Sequence, residues 1–184
     1  MHGIIHLELE KFVVESYDRD VWNKLVDAAG IGDRLYTPVQ AYPDEDMVRV
    51  VEAAVAMTKK PAAEILEAFG EYLVPTYLSV YGLLLDPAWK TLDVVEHTEQ
   101  TIHRVVRMRQ PGAAPPRLRV ERKSPTEVVI TYDSPRKLCA VARGIVRGVA
   151  KHFGESVAIA ERACMHRGDT HCSIAIKSVR CTSR

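Results

Sequence analysis

The chain has 184 residues and sets 25 lysines and arginines against 24 aspartates and glutamates, a net charge of +1 that gives no bulk electrostatic case for nucleic acid or an anionic membrane as partner. Its 47% hydrophobic and 27% charged residues are ordinary for a single soluble domain long enough to bury a core. The opening MHGIIHLELEKF reads neither as a signal peptide nor as part of a membrane helix, so the expected compartment is the cytoplasm, where clustered cysteines point to metal or redox chemistry more than to disulfides.

Helical spacing of Ile4, Ile5, Leu9, Phe12 and Val13 predicts a first helix over HGIIHLELEKFVVESY. Asp18 or Asp20 can cap a second, VWNKLVDAAG, which stops at Gly30. Pro43-Asp44-Glu45-Asp46 loads negative charge onto the start of MVRVVEAAVAMTKK, favourable at a helix N-terminus. Pro61 opens AAEILEAFGEYL, and Pro75 is expected to start a separate short helix through Tyr77 to Leu83. From Leu92 to Met108 a longer helix keeps Val95, Ile102, Val105 and Val106 on one broad face. The stretch Gln110 to Pro116 breaks the pattern. Strands follow over Arg117 to Arg122 and Glu127 to Tyr132, then a helix from Leu138 to Phe153. A last strand pair, Val157 to Cys164 and His171 to Lys177, folds around Arg167-Gly168-Asp169. The order is a helical N-terminal part followed by ββαββ, an α+β protein.

Three features lie near the junction. His103 sits among Ile102, Val105 and Val106; taken alone, such a histidine reads as a satisfied core residue, although neutral imidazole is also a common axial ligand of haem iron. Tyr132-Asp133-Ser134-Pro135-Arg136, if the strand continues, puts Tyr132, Ser134 and Arg136 on one face. Two hydroxyls and a guanidinium make a donor clamp suited to a carboxylate, while the plainer reading is a solvated strand end. Pro115-Pro116 is a stiff wedge or a simple loop marker.

Together these residues resemble the H-NOX (haem nitric oxide/oxygen binding) family. The resemblance runs from MHGIIH through Tyr42-Pro43-Asp44-Glu45, Phe69-Gly70-Glu71-Tyr72, His103 and Pro111-Gly112-Ala113-Ala114-Pro115-Pro116 to the Y-x-S-x-R motif at Tyr132, Ser134 and Arg136. It implies one domain over residues 1–184, with a distal helical part at 1–63 and a part at 64–184 holding the ligating helix and the ββαββ unit, haem b lying between them. It further implies that His103 is the single protein ligand to iron and that Tyr132, Ser134 and Arg136 hold the propionates. Pro116 presses on the porphyrin, and Ile5 lies on the distal side. Family members that hold O₂ supply a distal tyrosine where this chain has Val141, which cannot donate a hydrogen bond. The expected ligands are therefore nitric oxide and CO, with O₂ disfavoured; Tyr77 is the one phenol that could reach the distal side. Signalling is expected in trans, to a histidine kinase or a cyclic-di-GMP enzyme.

The nine residues CMHRGDTHC, Cys164 to Cys172, add a second centre. On a strand Cys164 and His166 share a face, the turn returns Cys172 opposite, and Cys139 supplies a fourth position, so a Cys₃His zinc set is possible. From spacing alone reduced cysteines fit as well; some H-NOX proteins resemble this chain in having a cysteine-rich hairpin with zinc. His171 is an alternative ligand and Cys181 a candidate resolving thiol. Oxidation of zinc thiolates ejects the metal, so such a site could be a redox switch. Two enzyme readings compete: a haem peroxidase, which lacks distal acid-base groups here, and a zinc hydrolase with Asp169 as base. A haem-independent zinc-thiolate redox sensor is the remaining alternative.

Overall fold

The computed structural model describes residues 1–32, 34–38, 40–110 and 112–179; Pro111 of the resemblance motif and Cys181 lie outside them. Helix α1 spans Gly3–Ser16, and its glycine is a steric requirement: a Cβ there would lie 1.9 Å from the Thr37 carbonyl oxygen. α2 (Arg19–Ala29) starts where the Asp18 carboxylate accepts the Val21 N–H at 2.7 Å. α3 covers Asp44–Thr58 with three carboxylates in its first turn.

α4 runs unbroken over Ala62–Tyr81 with Pro75 inside it. The expected separate helix after Pro75 does not form. The proline ring is exposed, and the Glu71 carbonyl that its missing N–H leaves free is covered by α7 (Cys139–His152) at Gly148. α4 and α7 touch backbone to backbone, since a Cβ on Gly144 would fall 2.0 Å from the Glu67 carbonyl oxygen. The long helix predicted from Leu92 to Met108 is also modified. α5 (Thr91–His97) leads into a π-turn at Glu99–His103 and then α6 (Arg104–Arg109).

Strands β1 (Arg117–Ser124), β2 (Glu127–Asp133), β3 (Ser156–Ala163) and β4 (Cys172–Val179) form one antiparallel sheet in the order β1-β2-β4-β3. With its helical first half, this is the expected α+β architecture. One core, around Leu9, Leu25, Met47, Phe69 and Leu73, fills the helical part. A second, around Val128, Ile130, Ile174 and Ile176, joins the sheet to α5 and α7. No described helix is long and apolar enough to cross a membrane.

A buried imidazole makes the helical part sensitive to acid. His6 is only 2% exposed and stacks on Tyr36 at 4.4 Å between ring centres, while its Nε2 has no hydrogen-bond partner among the described residues. Burial, reinforced by the nearby N-terminal ammonium, pushes its pKa down to about 4. The unfolded chain then binds a proton between pH 6.5 and 4 that the folded protein refuses. Stability should therefore be whole above pH 6.5 and fall by about 3 kcal/mol on acidification to pH 4. Chemical denaturation across that range checks this, and His6→Phe should flatten the slope.

Candidate functional site: a cavity between the two parts

An apolar cavity of about 290 Å³ lies at the junction of the helical part and the sheet part. Its wall includes all seven residues expected around a haem: Ile5, His103, Pro116, Tyr132, Ser134, Arg136 and Val141. Tyr77 lines it too.

His103 reaches the cavity through the π-turn. Its backbone N–H donates to the Thr98 carbonyl five residues back, at 3.0 Å, which widens the helix at this point. Its ring Nδ1 lies 2.9 Å from the Glu99 carboxylate. Burial holds the imidazole below its ordinary pKa, against the pull of Glu99. Burial also acts on Glu99, pushing it up, but the hydrogen bonds from His103 and Arg107 prevail and hold the carboxyl below its usual range. Ionised Glu99 can only accept, so Nδ1 of the neutral ring carries the proton and Nε2 keeps the lone pair. The site thus presents the His103 base in an apolar chamber that His2 also lines, with the His103 tautomer set by a carboxylate.

The donor clamp is reached by a different backbone path from the one expected. β2 ends at Asp133, and residues 134–137 form a turn closed by the Lys137 N–H on the Ser134 carbonyl at 3.0 Å. The strict alternation of a continuing strand is lost, yet all three side chains still line the cavity. Tyr132 and Ser134 are buried, and burial pushes the Tyr132 phenol up to about 12, so it remains a donor. Arg136 Nε donates to Asp44 at 2.8 Å and one terminal nitrogen donates to the Ala114 carbonyl at 2.6 Å; the other terminal nitrogen remains for a carboxylate. An apolar chamber with a nitrogen base and a cluster of anion donors matches haem: apolar ring, iron and two propionates. The residues fit the group.

The model of the haem-NO-binding (HNOB) family matches residues 2–161. The chain belongs to this family. HNOB, or H-NOX, proteins are haem-based gas sensors. A crystal structure of an H-NOX protein from S. oneidensis in the Fe(II)NO ligation state is 27% identical, with a TM-score of 0.90 over 98% of this chain and 100% of that one. An unliganded Fe(II) H-NOX mutant from K. algicida, 22% identical, has the same fold, with a TM-score of 0.90 over 99% of this chain and 98% of that one. Soluble guanylate cyclase 89Da of Drosophila melanogaster is 23% identical over 137 residues, 74% of this chain. The chain matches only a fifth of that relative's length.

Within the H-NOX cavity, Ile5, Val141 and Tyr77 all pack on the helical core. Ile5 and Val141 offer no hydrogen-bond donor; the Tyr77 phenol does, and burial raises its pKa well above the ordinary phenol value. The predicted grouping of Ile5 with Val141 is therefore a spatial one, with a tyrosine close by.

The thiol cluster sits beside the cavity, at the end of the sheet where Cys172 on β4 pairs with Tyr132 on β2. Cys139, Cys164 and Cys172 are buried and free. The sulfurs of Cys139 and Cys172 each lie 3.8 Å from that of Cys164. Thiolates about 2.3 Å from a tetrahedral zinc are separated by about 3.8 Å, so the spacing suits that ion. His166 does not join them. β3 ends at Ala163, and a 3₁₀ turn at Met165–Arg167 breaks the two-residue alternation expected to carry its ring inward. Its Nε2 lies 2.8 Å from the Lys137 carbonyl instead. The fourth group within reach of the three sulfurs is Glu161, whose carboxylate accepts from Arg143 at 2.6 Å and Arg167 at 3.1 Å. His171, the alternative ligand, is outside this set and lies 3.1 Å from the Thr170 hydroxyl.

Three functional side chains escaped the sequence reading. Glu99 could have been found, because a carboxylate four residues before a histidine on a helix is a contact pair. Asp44 was read as helix-terminal charge, and its grip on Arg136 spans 92 positions with no local signal. Glu161 lies three residues before Cys164, a spacing that suggests no shared strand face.

Proposed function

We propose that this protein is a cytoplasmic nitric oxide sensor holding haem b through His103. Tyr132, Ser134 and Arg136 anchor the propionates, and Pro116 presses on the porphyrin. The observation that carries the reading is the 2.9 Å contact of His103 Nδ1 with the Glu99 carboxylate, which leaves Nε2 as a base on the wall of an apolar cavity. Bound haem supplies the iron at which a diatomic gas is held; the protein's part is to supply one neutral ligand and exclude water.

Ligand preference follows from the wall. Bound O₂ takes up negative charge and needs a protein donor, whereas nitric oxide and CO do not, and Val141 gives none. His103 would hold the iron as a neutral imidazole, a ligand that nitric oxide binding would allow to leave. The π-turn that carries His103, and α6 after it, would then lose that tether, and the contact of Pro116 with the group would ease. Such a ligand-biased two-state element is what a sensor requires. The output lies in a partner protein, a histidine kinase or a cyclic-di-GMP enzyme.

The thiol spacing supports a second function on the same chain, a zinc site at Cys139, Cys164 and Cys172. Glu161 is the fourth ligand in reach, and oxidation of the thiolates would release zinc and loosen the corner beside Val141.

Absorption spectroscopy of the reduced protein tests the gas preference. Nitric oxide and CO should each shift the haem band, and exposure to air should give no stable oxy species. A lasting oxy spectrum would contradict the proposal and point to the Tyr77 phenol as donor.

A further inference from the structure

We infer that Glu99 is a positioning residue that sets the strength of the His103–iron bond, and with it how readily nitric oxide releases His103. This rests on His103 being the haem ligand. The contact is 2.9 Å between Nδ1 and the carboxylate, and the two side chains are 15% and 24% exposed, so solvent screens it weakly. A hydrogen bond to an ionised acceptor is roughly twice as strong as a neutral one. A carboxylate on the outer nitrogen of a metal-bound histidine pushes electron density toward the metal-binding nitrogen and raises its basicity. Glu99 therefore strengthens the bond that nitric oxide must break.

Two further contacts decide how much of that charge His103 feels. The same carboxylate oxygen that faces His103 accepts the Leu118 N–H of β1 at 3.2 Å, two residues beyond Pro116. The other oxygen is held by the Arg107 guanidinium, on α6. Arg107 competes for the negative charge and so tempers the push on His103. Glu99 and Arg107 thus act on the ligand bond in opposite directions, the carboxylate tightening it and the guanidinium loosening it. Glu99 and His103, four residues apart, lie side by side while both remain anchored on the helix.

The test uses haem-loaded full-length protein in four forms: wild type, Glu99→Gln, Glu99→Asp and Arg107→Ala. The iron–histidine stretching band of the reduced, unliganded state is read by resonance Raman spectroscopy. The rate at which the six-coordinate nitrosyl complex becomes five-coordinate is read by stopped flow. Glu99→Gln, which keeps the shape and removes the charge, should lower the band and speed release by about tenfold. Arg107→Ala should raise the band and slow release, and Glu99→Asp should fall between wild type and Glu99→Gln. A Glu99→Gln protein with the wild-type band and release rate overturns the inference. So does a shift in the same direction in Glu99→Gln and Arg107→Ala, which is what loosened packing alone would give. His103→Gly separates the two levels. Altered spectra there with a silent Glu99→Gln defeat only the role of Glu99, whereas unaltered spectra defeat the ligand assignment on which it rests.

Discussion

His103→Gly leaves the fold standing and abolishes normal haem ligation. Removing the ring opens space in the cavity wall, and the helix loses about 1 kcal/mol in propensity, a modest part of the stability of a domain this size. The chemistry loses far more, because among the cavity's described lining residues His103 is the histidine whose tautomer is set to offer Nε2. Haem retention should fall by more than about 100-fold, above the range seen when only an outer-shell partner is lost. Free imidazole should fit the vacated space, donate a hydrogen bond to Glu99 and restore a wild-type-like spectrum. Circular dichroism checks the fold and a haem-transfer assay the retention. An unchanged spectrum in the variant would refute the assignment.

The second large effect is expected at the thiols. Burial is the first cause that pushes the Cys139 thiol far above its ordinary pKa, and the neighbouring thiols add to it; burial likewise raises Cys172. Cys139 and Cys172 therefore keep their protons at neutral pH in the metal-free cluster, and zinc must displace both. Its affinity should drop by at least about 100-fold for each unit of pH lost while that holds. Bound zinc should raise the unfolding temperature, and a strong chelator should remove that gain. Cys172→Ser, which replaces a side chain with no exposure to solvent, should abolish tight binding. Titration at pH 8, 7 and 6 measures the slope. A slope near zero would exclude three thiolate ligands. Glu161→Gln against His166→Ala then separates the two candidates for the fourth position: the first should weaken binding and the second should not.

Much of this was legible in the sequence, and the failures share a cause. The strands and α7 follow from local periodicity and turn residues, because alternation over eight residues or capping by Asp18 needs no distant partner; His103 was singled out by the family resemblance. Alternation put Tyr132, Ser134 and Arg136 on one face and the family resemblance put them around haem; the strand stops at Asp133, yet all three line the cavity. Where tertiary packing overrules the local rule, the reading fails. Pro75 stays in α4 because α7 covers the carbonyl it frees. The π-turn at Glu99–His103 has no signature in a pattern built on 3.6 residues per turn. His166 turned outward because one 3₁₀ turn undoes the alternation that would have carried it to the sulfurs. Asp44 and Glu161 acquire their roles only when segments far apart in sequence meet.

The central claim is that iron is bound in this cavity by Nε2 of His103. Anomalous scattering at the iron edge, from crystals of the reduced haem-loaded protein, tests it directly. The iron peak should lie within bonding distance of Nε2, with the porphyrin against Pro116 and its propionates at Tyr132, Ser134 and Arg136. A peak bonded to any other side chain, or at the Cys139–Cys164–Cys172 cluster, would contradict it.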